Sequence, residues 1–180
     1  MKDSLGDQRI DGTAAEGMIS SIVDRNGNTM TFAYDAQGRL TTISDTLSRT
    51  YTLGYDAQNR VISLTDFGGR TVSYAYYGAS DPNGADGDLL SVTTPTRANP
   101  SYVGYFPAGK TTTYTYSRGF SDDRRNHNLL SITDPKGQTH TRWEYAATAN
   151  PADPNFDRVE RRRLGGFGDV WEYKYFAVSP

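Results

Sequence analysis

Tyr34-Asp35-Ala36-Gln37-Gly38-Arg39 returns 21 residues later as Tyr55-Asp56-Ala57-Gln58-Asn59-Arg60. Ile22-Val23-Asp24 and Ile43-Ser44-Asp45 precede the two hexapeptides, again 21 apart, and Leu64-Thr65-Asp66 opens a third copy at the same interval. Such a period marks an array of supersecondary units, each too small to bury a face alone.

Each copy reads as two strands and two tight turns. Met30-Phe32-Tyr34, Tyr51-Leu53-Tyr55 and Val72-Tyr74-Tyr76 interleave with Thr31-Ala33, Thr52-Gly54 and Ser73-Ala75. Strict alternation argues a strand with one buried face, and aromatic and β-branched residues suit a pleated surface. The other run of each copy sets Ile43, or Ile62 and Leu64, among threonines and serines. Large side chains therefore collect on one face of a sheet and small hydroxyls on the other.

The turns carry their own chemistry. Asp35 with Gly38 suits a type I turn that ends in a left-handed residue, the three-residue hairpin with a bulge. At the equivalent place the next copy has Asp56 with Asn59, and Asn is the side chain that best tolerates that conformation. Asp24 with Gly27, Asp66 with Gly69 and Asp134 with Gly137 repeat the device at the other turn. Pro135 there presets φ. Asp45-Thr46-Leu47-Ser48 lacks the glycine and is the weakest turn on sequence grounds. These aspartates read as turn formers, bonding backbone two residues on.

Taken in order, residues 1–17 are small and polar without a period, an irregular or strand-poor lead-in with no apolar segment of the signal-peptide kind. The array fills residues 18–180, with units near 18–39, 40–60, 61–88, 89–128, 129–158 and 159–180. Loops 79–88, 118–128 and 146–158 replace the turn after the aromatic strand, so they share one edge of an antiparallel sheet. Only 94–109 enlarges the other edge. A binding rim and neutral length drift in surface loops both fit this pattern. The acidic spacing from Asp81 to Asp88 invites a calcium reading, but Val92 stands where an EF-hand loop closes with Glu, so a solvated Pro/Gly loop is expected.

About six units of two strands give about twelve strands, a sheet about 55 Å wide at 4.8 Å per strand. Sheets of that size curl or split. The expected fold is all-β: an array of antiparallel β-hairpins forming a curled or spiralling single sheet. Its aromatic face, Tyr34, Tyr55, Tyr76, Tyr116, Trp143, Tyr145, Trp171 and Tyr173 among others, must meet itself, another chain or an enclosed body.

The net charge of −2 gives no general attraction to nucleic acid. Arg158, Arg161, Arg162 and Arg163 form the one basic run, expected to lie solvated beside aromatic rings and carboxylates. The chain has no cysteine, which excludes a disulfide framework and Cys-ligated zinc. No stretch is long and apolar enough to span a membrane. No nucleophile elbow, zinc helix or phosphate-binding glycine loop is present, and nothing fixes the separation of Asp122, Asp123 and Glu144. No enzyme, metal or cofactor is expected.

The Tyr-Asp hexapeptides, with Leu40, Ile43, Asp45 and Val61 around them, resemble the YD-repeat of rearrangement-hotspot (RHS) proteins, to which shells of Tc toxin complexes and teneurins are related. The resemblance covers about residues 18–175. It implies a hairpin array spiralling into a hollow shell, secreted or borne on the cell surface, often enclosing a toxic polypeptide. The partners implied are further YD-repeats of a parent chain or copies of this one, and an enclosed polypeptide cargo. The alternative is a carbohydrate- or surface-binding module whose exposed Tyr and Trp rings stack on glycan.

Overall fold

The computed structural model describes residues 9–11, 17–96, 106–165 and 169–176, with side chains from residue 17 onward. Thirteen strands follow one another: β1 Arg9–Asp11, β2 Ser21–Val23, β3 Thr29–Tyr34, β4 Leu40–Ser44, β5 Thr50–Tyr55, β6 Val61–Thr65 and β7 Thr71–Tyr76, then β8 Leu89–Thr93, β9 Thr111–Tyr116, β10 Leu129–Thr133, β11 Thr139–Tyr145, β12 Val159–Leu164 and β13 Asp169–Glu172. Sheet order equals chain order. Strands β2 to β13 supply the twelve expected from the repeat. The extra one comes from the lead-in, where Arg9 pairs with Val23 and Ile10 with Ile22. The rest of that lead-in, most of the expanded turn with Tyr102 and Tyr105, and residues 177–180 lie outside the described residues.

The chain divides into two compact units, Met1–Ser73 with Thr94–Thr96, and Tyr74–Thr93 with Arg97–Pro180. In the first, cross-strand rows on the large-residue face run Phe32–Ile43–Tyr51 and Leu53–Leu64–Val72. On the opposite face the row is Ala33–Thr42–Thr52–Thr65–Thr71. In the second unit the rows are Tyr114–Ile132–Thr141 and Ser91–Thr113–Thr133–Thr139. Neighbouring hydroxyls pair across strands, Thr65 with Thr71 at 2.8 Å and Thr115 with Ser131 at 2.7 Å.

The hydroxyl face gives way to charge at its C-terminal end. Arg142, Glu144, Arg161, Arg163 and Glu172 occupy it, and Arg163 Nε donates to Glu144 at 2.8 Å while Arg161 Nε donates to Glu172 at 3.1 Å. Arg161 and Arg163 of the basic run are thus paired with carboxylates on this face. Arg158 instead covers the Tyr175 ring at 4.8 Å.

A domain ordinarily stacks two layers around a core. Here a single layer is described, and Tyr77 is its one buried apolar residue, 5% exposed. A 3₁₀ turn lies at Asp123–Arg125, and among the described residues no helix is long and apolar enough to cross a membrane.

Candidate functional site

The turns after β2, β3, β4, β5, β6 and β10 share one geometry. Asp35 Oδ1 accepts from the backbone N–H of Gln37 and of Arg39, at 3.0 and 2.9 Å. The Arg39 Nε donates to Oδ2 at 2.7 Å. The backbone closes twice, Gly38 N–H to Asp35 carbonyl and Asp35 N–H to Arg39 carbonyl. Asp56 with Arg60, Asp45 with Arg49 and Asp66 with Arg70 repeat every bond. Asn28 and Gln138 stand in the arginine's place for Asp24 and Asp134, where the backbone bonds are kept. The fourth residue is left-handed throughout: Gly27, Gly38, Gly69 and Gly137, with Ser48 at φ 59° and Asn59 at 64°.

These bonds hold the carboxylates of Asp24, Asp35, Asp45, Asp56 and Asp66 below the ordinary aspartate range. The Arg49 and Arg70 side chains lead at Asp45 and Asp66, the Arg39 backbone N–H at Asp35, and the Asn28 amide at Asp24. At Asp56 partial desolvation pushes upward and is outweighed by the donors of Arg60.

The tyrosine before each aspartate is also committed. Tyr34 OH donates to the Ile19 carbonyl at 2.9 Å, and Tyr55 OH to that of Leu40 at 2.7 Å, each at the start of the neighbouring strand run. Arg39 then bridges two units, its guanidinium 4.8 Å from the Tyr55 ring centre and donating to Asn59 at 2.8 Å. Arg39 thereby couples the first unit to the second, while Tyr34 and Tyr55 tie together the two strands of their own units. The arginine stands inside both quoted hexapeptides, so its recurrence was the available signal for a role that turn propensity alone does not assign.

The expanded loops keep the closing bonds and change what lies inside. Tyr77, Ser117 and Ala146 sit in the aspartate's place, and their N–H groups donate to the carbonyls of Asp88, Asn128 and Arg158, as Asp35 does to Arg39. The penultimate residue remains left-handed: Gly87, His127 and Asp157. Tyr77 anchors the first loop. Its ring lies against Gly84 and edge-on to Tyr116 at 6.4 Å, and its hydroxyl donates to the Tyr114 carbonyl at 2.7 Å. Burial raises the Tyr77 hydroxyl above its usual range, helped by Asp81 and Asp88.

The loops also bond to each other. Arg118 donates to the carbonyls of Gly84 and Ala79, His127 Nδ1 meets Asp88 at 2.7 Å, and Asn128 donates to Asp157 at 2.6 Å. Asp81 and Asp88 accept from the backbone of Gly78 and Ala85. Sequence separations of 29 to 39 and the lack of a period in these loops hid all of this.

The expected aromatic residues do not gather in one cleft. Tyr34, Tyr55, Tyr76, Tyr116, Trp143 and Tyr145 are half-buried along the sheet, while Trp171 and Tyr173 are 59% and 38% exposed. A groove of about 370 Å³ has Tyr116, Tyr145, Phe120, Arg118 and Arg125 in its walls. Another, about 450 Å³, takes in Arg158, Tyr173 and Phe176. Both are open troughs between successive turns rather than enclosed sites. Asp122 is bound to Arg124 at 2.7 Å and Glu144 to Arg163, so neither faces the other as an acid–base pair.

The RHS repeat family matches residues 15–50 and 34–71. No curated protein sequence matches the chain. Among solved structures, the Photorhabdus luminescens Tc holotoxin pore aligns at TM-score 0.50 and 15% identity over 91% of this chain, and a TcdB2-TccC3-Cdc42 complex at TM-score 0.36 and 13% identity over 92%. This chain spans 9% and 10% of those chains. The hairpin period and the Asp-centred turns agree with the family match, and over residues 15–71 the chain is similar to RHS repeats.

Proposed function

We propose that this chain is a wall segment, a YD-repeat β-sheet built into a shell of an exported toxin-type or surface protein, with polypeptide covering its large-residue face. One observation carries the reading. The sheet is a single layer whose rows of Phe, Tyr, Leu and Trp have no second layer among the described residues, where Tyr77 is the one buried apolar side chain. A face of this kind is stable in water only when something covers it. Further repeats of the parent chain, copies of this one and an enclosed polypeptide all meet that need. The likeness in fold to a Tc holotoxin chain supports the exported, shell-forming setting.

Glycan stacking has less support. The hydroxyls of Tyr34 and Tyr55 are bonded inside the sheet, and of the eight Tyr and Trp rings expected to stack only Trp171 and Tyr173 are exposed. A scaffold also has no need of catalysis, in keeping with carboxylates that serve turns and ladders.

The test is mass in solution by light scattering across a range of concentrations, with negative-stain imaging. The isolated chain is expected to associate into filaments or closed particles as its large face is covered by copies. A monodisperse monomer at every concentration, without binding of an apolar dye, would overturn the reading.

A further inference from the structure

One position occurs in every unit: the centre of the first strand, facing the large-residue side. It is held by Ile22, Ile43, Leu64, Val92, Ile132 and then Arg162. Five branched aliphatic side chains are followed by a guanidinium. Its neighbours change with it. Arg162 lies directly opposite Trp143 on β11 and Trp171 on β13, where Ile43 has Phe32 and Tyr51.

The charge has no partner among the described residues. Arg161 and Arg163 point to the other face and are bound to Glu172 and Glu144. Arg162 accepts none of this help, and its Nε is shut off from water with no acceptor. A guanidinium stays charged at any pH the protein meets, and it is a planar fork of N–H donors shaped for carboxylate. Arg162 is half-buried, and a donor shut off from water without an acceptor is costly, the more so on a charged group. A native donor left without an acceptor calls for a physical cause.

We propose that Arg162 is a carboxylate-docking residue. An acidic side chain of a polypeptide laid on the large-residue face sits against its guanidinium, between the Trp143 and Trp171 indoles. A free carboxylate would satisfy the charge but leave the rings open, and Trp171 is 59% exposed. A polypeptide joins the carboxylate to apolar surface and covers both. The inference rests on the reading that polypeptide covers this face, and it names the chemistry of the residue that registers there.

The chain carries its own reporter, because Trp143 and Trp171 are its two tryptophans. The whole chain, held below the concentration at which it associates, is titrated with an octapeptide of alternating glutamate and leucine while tryptophan emission is followed. A saturable change is expected, weakening as salt is raised, and at least about tenfold weaker with glutamine in place of glutamate. R162I restores the side chain of the sister positions. It is expected to keep the strand signal in circular dichroism and a melting temperature no lower than the parent, and to bind the glutamate peptide at least about tenfold more weakly. If R162I does not fold, R162K keeps the charge without the fork and is expected to bind with intermediate strength. Equal binding of the two peptides, a variant that binds as the parent does, or no saturable response would each overturn the proposal. A monomeric chain that still shows the arginine-dependent titration would count against shell assembly alone. An assembling chain without it would count against Arg162 alone.

Discussion

Between Asp24 and Arg70 the hairpins are closed by carboxylates, each acting within five residues of itself. Between Tyr77 and Arg158 the same backbone bond closes around loops of ten residues or more, whose bonds reach 29 to 39 residues away. The contrast shows what the repeat requires. The N–H after the aromatic strand must find the carbonyl that opens the next strand, and the residue before that carbonyl must be left-handed. Gly38 and Asn59 satisfy this in tight turns, and Gly87, His127 and Asp157 satisfy it in loops. Length added inside that closure costs little entropy. The regular stretch spreads its stability over many small, nearly identical contributions, as repeat arrays do. The looped stretch concentrates it in a few anchors.

The sharpest way to break this comparison is at Tyr77. Y77A removes the buried ring and the hydroxyl bond that hold loop 79–88, at a cost of about 3–5 kcal/mol in urea unfolding. Y55A, on a half-buried ring of the regular stretch, is expected to cost markedly less. G84A attacks the same contact from the other side, since a Cβ there would stand 2.2 Å from the Tyr77 ring. Amide exchange should accelerate across residues 79–88 in both anchor variants while turns at Asp35 and Asp56 stay protected. Equal losses for Y77A and Y55A would show that no such concentration exists.

Why the looped stretch was the less readable half follows from the same physics. Alternation, the Asp-x-x-Gly turn and a fixed interval are local signals, and they make the antiparallel hairpin array legible. Tyr77 carries no local signal. It follows Tyr76 and reads as one more aromatic, although it occupies the aspartate's place and turns into its own loop. Asp45 illustrates the converse. Its turn lacks glycine and reads as weak, yet it has the common geometry because Arg49 and two backbone N–H groups hold the carboxylate, and Ser48 follows into the left-handed region. The aromatic face was legible as a face. What covers it was not, because a covering partner leaves no trace in the period.

Ser48 allows a smaller test within the regular stretch. A non-glycine side chain at φ 59° is strained, so S48G should stabilise the chain by about 0.5 kcal/mol, the relief of strain being partly offset by a freer unfolded state. G27A is the reverse experiment. Its Cβ would meet nothing within 4 Å, so the loss of about 1 kcal/mol expected from thermal melts measures backbone conformation alone. A stabilising G27A, or a destabilising S48G, would mean that the turn is closed by its aspartate without need of the left-handed residue.

Acid gives the smallest effect per residue and the most even one. Asp24, Asp35, Asp45, Asp56 and Asp66 all titrate below the ordinary aspartate value of 3.8 in the folded chain. A depressed carboxylate contributes stability that is present above its unfolded value and is lost as pH falls through its folded one. The melting temperature should therefore hold steady down to about pH 5 and decline below about pH 4, with no loss on the alkaline side of neutrality from these groups. The five sites are half-buried at the sheet edges and within reach of solvent and salt, so each share is small and the decline is gradual. D45N keeps an acceptor for the backbone but loses the ion pair with Arg49. It should lower the melting temperature at pH 7 and flatten the acid slope, bringing variant and parent together at low pH. A parallel offset at every pH would assign the Asp45 turn to shape alone. Convergence would assign part of it to charge, as expected also for the ion-paired turns at Asp35, Asp56 and Asp66.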